Sequence, residues 1–139
     1  MKHDEAGSAL IETFLLALVL LVPLLWALGI LAELHRGALA TSAAAREAGM
    51  EAARSADAAS AERAVTDAVH RALIDHGVDP SRATVRWSTD PGFPRGAAVE
   101  VVVTYPVTVT QAPLLGEVAG PAIVVRASHV ARIDPYAGR

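Results

Sequence analysis

Residues 13–32 are twenty consecutive positions without a charged side chain, dense in leucine and bounded by Glu12 and Glu33. As an α-helix rising about 1.5 Å per residue, such a run reaches across the roughly 30 Å hydrocarbon core of a bilayer. It predicts a transmembrane helix. The competing reading is a cleaved secretory signal, whose apolar core usually runs only about 7–15 residues. The nearest small-residue cleavage site, Ala38-Leu39-Ala40, lies beyond Glu33, His35 and Arg36, which argues against it. Pro23 and Gly29 interrupt the run, and both are tolerated in membranes because neighbouring helices or local adjustment satisfy the freed carbonyls. Pro23 predicts a kink.

Beyond this run the chain is short. It has 139 residues in all and no cysteine, which excludes a multidomain enzyme, a disulfide scaffold and a cysteine-ligated metal site. Twelve basic against fifteen acidic residues leave a formal charge of −3, without the basic face that phosphate contacts need, so no nucleic-acid partner is expected. With 4% aromatic residues and 29 alanines, the apolar fraction comes from small side chains and one dense block.

From Glu33 to about Arg54 strong helix formers continue without proline, so the membrane helix is expected to run on out of the bilayer. Gly37 and Gly49 weaken this stretch by about 1 kcal/mol each relative to alanine, and a break is expected either near Gly49 or within residues 55–60. A second helix is expected from near Ser60, an N-cap residue type, with Glu62 in the first turn. Ala61, Ala64, Val65, Ala68, Val69, Ala72 and Leu73 form one apolar stripe at helical spacing, and Gly77 followed by Pro80 ends it. The period then changes to two. Val85 and Trp87, then alternate residues from Val99 to Val109, then Ile123, Val125 and Ala127 predict three strands with one apolar face. The cluster 90–96 separates the first two, and Pro106 predicts a bend or an edge position in the second. The expected fold class is α+β: a long N-terminal transmembrane helix, then a helix packed on a small antiparallel sheet of about three strands, the second helix offering the sheet its cover.

The start of the chain carries the one motif with chemical content, Gly7-Ser8-Ala9-Leu10-Ile11-Glu12. A carboxylate near hydrocarbon is costly enough that intramembrane acids are functional candidates by default, although a helix start also favours a carboxylate. Glycine, four residues, then glutamate at the mouth of a membrane helix resembles the processing site of type IV prepilins. Leu10-Ile11-Glu12, Pro23, Gly29, Ala44-Ala45-Arg46-Glu47-Ala48, the segment from Val99 to Val107, Pro113-Leu114-Leu115-Gly116 and a last strand, in this order, resemble the TadE-like pseudopilins of the tight-adherence (Flp) pilus system.

The resemblance implies a prepilin-type leader 1–7, a transmembrane and extended helix 8–55 and an extracytoplasmic α+β domain 56–139. It implies cleavage between Gly7 and Ser8 by a prepilin peptidase, with Glu12 as an assembly carboxylate that pairs with the N-terminal amine of a neighbouring subunit. The implied partners are membrane lipid, the peptidase, other pilins or pseudopilins and the assembly platform, and the chain can enter the fibre or stay in the membrane. Two departures stand out: Met1 to Gly7 carry one lysine against Asp4 and Glu5, less basic than pilin leaders, and Thr13 replaces the aromatic residue common after the glutamate.

Flanking charge, with Lys2 before the span and Arg36 and Arg46 after it, mildly favours the reverse orientation. Long C-terminal domains cross largely regardless of charge, and with the motif this places the N-terminus in the cytoplasm. The five histidines lack metal-ligand spacing, and no nucleophile elbow, phosphate loop or paired carboxylate set appears, so no catalysis, metal or cofactor is expected. Leu114 and Leu115 either fold back over the sheet or form an exposed partner contact. The alternative function is a single-pass, membrane-anchored ligand-binding or sensory protein that no prepilin peptidase processes.

Overall fold

Alanine and leucine are the commonest residues of the first fifty positions, and the chain takes the conformation they favour. In the computed structural model, which describes residues 4–110 and 119–135, helix α1 runs without interruption over Asp4–Arg54. Pro23 lies inside it, and neither Gly37 nor Gly49 breaks it. The first half is bare: Leu10, Phe14 and Leu20 are 74%, 72% and 75% exposed, and every residue from 9 to 21 faces outward. The second half is the opposite. Ala40, Ala44, Ala45, Ala48 and Ala52 are buried, and Thr41 among them donates its hydroxyl to the Gly37 carbonyl at 2.6 Å.

The break falls in residues 55–57, where Ser55 folds its hydroxyl onto the Glu51 carbonyl. Helix α2, Ala58–Asp75, begins earlier than the sequence pattern placed it, and its cap is Asp57 rather than Ser60. Asp57 accepts the Ser60 amide at 2.7 Å while the Ser60 hydroxyl accepts the Asp57 amide at 3.2 Å, so each residue satisfies an amide that the helix leaves orphaned. The Asp57 carboxyl is held below its ordinary value, first by the Ser60 backbone amide and then by the Ser60 side chain. At the other end Gly77 takes φ +67, donating to the Ile74 carbonyl while Val78 donates to that of Leu73. Val78 is buried with Leu73, the apolar contact that accompanies such a stop. Between these ends Ala61, Val65, Ala68, Val69, Ala72 and Leu73 are buried, and Arg63, Asp67, His70, Arg71 and Asp75 are exposed.

A 3₁₀ turn, Pro80–Arg82, leads into strands β1 (Thr84–Thr89), β2 (Ala98–Thr110) and β3 (Ala119–Arg132), an antiparallel sheet in the order β1-β2-β3. Val99, Val101, Val103, Tyr105 and Val107 are buried on one face, with Trp87 opposite Val101 and Val125 opposite Tyr105. The other face is open. The fold class is therefore α+β, with a long apolar helix, a second helix and three antiparallel strands.

The cover of the sheet differs from expectation. The extension of α1 lies directly on β2 and β3, and α2 packs most closely against α1. Alanine and glycine make this possible, since only small residues let a helix backbone come so near a sheet. A Cβ on Gly37 would stand 2.6 Å from Val107 Cγ2, and one on Gly49 would stand 2.7 Å from the His129 ring.

Pro106 lies in the middle strand, yet β1 pairs only as far as Thr104. Beyond that residue β2 is locally an edge, so the missing proline N–H costs no ladder bond on that side. The free Pro106 carbonyl accepts Arg82 Nη2 at 3.0 Å instead.

Candidate functional site

Two places combine unusual exposure with unusual composition, the head of α1 and the end of the domain nearest the apolar half of that helix. At the head, positions 7, 8 and 12 lie on one continuous stretch of helix. Position 12 is four residues on from position 8, which puts the two one turn apart along one face. Glu12 is exposed and makes no hydrogen bond or ion pair among the described residues. It is followed by twenty uncharged positions, beginning with Thr13, whose hydroxyl turns back to the Ala9 carbonyl at 2.8 Å. Among the described side chains of this part of the helix, Glu12 is thus a polar group without a hydrogen bond.

A helix that is apolar and bare on all sides is suited to lipid or to a bundle of like helices, not to water. Among the described residues the chain has one helix long and apolar enough to cross a membrane, near its N-terminus. A carboxylate within such a surface is stable only near a headgroup, protonated, or beside a cation from elsewhere.

At the other place, the last residues of β2 come back alongside α1. Trp26, Gly29, Ile30 and Glu33 of the helix and Val107 to Val109 of the strand enclose an open cleft of about 270 Å³. On its flank Arg82 bonds the Pro106 carbonyl and the Thr108 hydroxyl and stacks 5.5 Å from the centre of the Tyr105 ring. Sequence patterns do not reveal this cluster, because Arg82 and Pro106 are 24 positions apart and no local signal connects them. Leu114 and Leu115, read from the sequence as either a cap folded over the sheet or a partner contact, lie outside the described residues. Among the described residues no group of histidine and acidic side chains could hold a metal ion.

The chain matches no family model, and neither a curated protein nor a solved structure is significantly similar to it. Its function therefore rests on the residues themselves.

Proposed function

We propose that the chain is a minor pilin-like membrane protein, a TadE-like pseudopilin that takes part in assembling or anchoring a tight-adherence pilus. The observation that carries the reading is Glu12: a carboxylate with no hydrogen bond or ion pair among the described residues, five residues after Gly7, at the head of a bare apolar helix whose far half is built into a folded domain. In this reading a prepilin peptidase removes Met1 to Gly7, which frees an amine at Ser8. The Ser8 amine of one subunit and Glu12 of its neighbour then neutralise each other as their helices pack, and the desolvation that would exclude either charge from lipid is offset. The N-terminus faces the cytoplasm and the α+β domain lies outside. The leader holds one lysine and two acids, so processing takes the formal charge from −3 to −2.

The intact mass of the protein recovered from membranes, with and without the cognate peptidase, tests the first step. Loss of residues 1–7 only when the peptidase is present is the expected result, and an unprocessed N-terminus in both strains would overturn the processing step. Glu12→Ala tests the second: synthesis and membrane insertion are expected to be normal while piliation falls. Wild-type piliation in that variant would remove Glu12 from the mechanism.

A further inference from the structure

The height of the strand ends relative to α1 is fixed by direct contacts. Val107 packs on Gly37, and Val107 to Val109 reach the cleft beside Trp26, Gly29 and Ile30. Gly29 lies four residues and Trp26 seven residues before Glu33, which is roughly 6 and 10 Å along the helix axis. If the uncharged run 13–32 fills the hydrocarbon layer, the end of β2 descends past the level of Glu33 to the depth of the outermost turn of the span.

The composition of the ribbon changes at that level. Residues 105–110 of β2 and 119–125 of β3 carry no charged side chain, and Ile123 and Val124 are 43% and 62% exposed. The first charges above this end are Arg126, opposite Thr104, and Arg82 beside Pro106 and Thr108. The connecting residues 111–118 add one charge, Glu117, and strand ends without charge beneath an arginine rim match a bilayer surface, apolar below and anionic at the phosphates. The local edge of β2 fits the same place. Open backbone edges are excluded from hydrocarbon, and here Pro106 removes one donor and Arg82 occupies one carbonyl, which suits the headgroup zone rather than the centre of the membrane.

We propose that this end of the β2–β3 ribbon, around Val107, Val109, Ala122 and Ile123, rests in the interface of the bilayer that α1 crosses. The domain then has a second lipid contact beside its anchor. The inference depends on α1 spanning the membrane, and its test separates the two.

The chain lacks cysteine, so single-cysteine variants of the full-length protein can each carry one nitroxide. Ala122→Cys, Val124→Cys and Val130→Cys sample exposed positions along one face of β3, and Leu20→Cys reports the span. In vesicles of phosphatidylcholine and phosphatidylglycerol, collision rates with oxygen and with a water-soluble nickel complex are compared. The expected oxygen-to-nickel ratio is highest at Leu20, several-fold higher at Ala122 than at Val130, and graded at Val124. Val124 and Val130 are 62% and 58% exposed, so protein burial does not create that gradient. A high ratio at Leu20 with equal low ratios at Ala122 and Val130 overturns the proposal alone. A low ratio at Leu20 overturns the spanning reading and the proposal with it.

Discussion

Gly37 shows how one missing Cβ positions a sheet. In the sequence it reads as a weak point of a helix, by propensity alone. In the fold it is where Val107 touches the helix backbone, and an added methyl would stand 2.6 Å from the Val107 side chain. Valine is stiff at χ1 and has little room to turn aside. Gly37→Ala is therefore expected to destabilise the domain by about 1–3 kcal/mol, the usual cost of overpacking a tight core. Gly29→Ala meets nothing within 4 Å and is expected to leave the thermal midpoint unchanged or raised. Equal midpoints for both variants in a thermal melt would show that the contact is not tight. The signal for close approach is present in the sequence as small residues every four positions, 37, 41, 45 and 49 beside 40, 44, 48 and 52. Such a row shows that something comes near, but not whether it is a helix, a sheet or another chain.

At the scale of elements, periodicity located each segment and capping chemistry blurred its start. Asp57 and Ser60 are both strong cap formers, and their reciprocal bonds make either a credible first residue until the folded geometry assigns the roles. The stop at Gly77 was legible because a left-handed residue before a proline has few other uses. Pro106 was legible in part: proline implied an edge, and the strand is central by order but an edge by local pairing.

The cap gives a pH dependence of known sign. The folded-state pKa of Asp57 lies below its ordinary 3.8, so the ionised form favours the folded state. That contribution is complete above the unfolded value and is lost as pH falls through the lower, folded one. Asp79 acts in the same direction through its bond to Ser81. Asp57→Asn keeps an acceptor at the cap and removes its titration. Its thermal midpoint is expected to fall less steeply than that of the wild type as pH drops below about 4. Parallel curves for the two proteins would show that the cap carboxylate contributes nothing to acid sensitivity.

For the whole molecule, the α+β class and the long apolar helix could be read from the sequence, because both rest on strong periodic patterns. The identity of the sheet's cover could not, since two candidate helices offered small apolar faces and only long-range packing chooses between them. The core includes Ala40, Ala44, Ala45, Ala48 and Ala52 of α1 alongside α2 and the strands. A chain beginning at residue 56 would expose the sheet face and the α2 stripe that α1 covers, at a size where a core supplies little surplus stability. Residues 33–139 are expected to unfold cooperatively by circular dichroism, while residues 56–139 show no cooperative transition. A sharp transition in the shorter fragment would mean that α1 is only a tether. The candidate site was legible only at Glu12, whose cost in lipid is a property of the residue itself. The cleft near Trp26 depends on the end of β2 returning to the helix, which no local pattern encodes.

The unbroken α1 also sets an angle. Leu31 is exposed in the apolar half, Gly37 is buried under the strands, and no hinge separates them. Each helical residue advances the azimuth by about 100°. Adding or removing one residue between those two points would swing the sheet by more than a quarter turn around the apolar half of the helix while barely changing its height. The bearing of the domain about the apolar half of α1 is thus fixed by the number of residues in that short stretch, independently of their side chains.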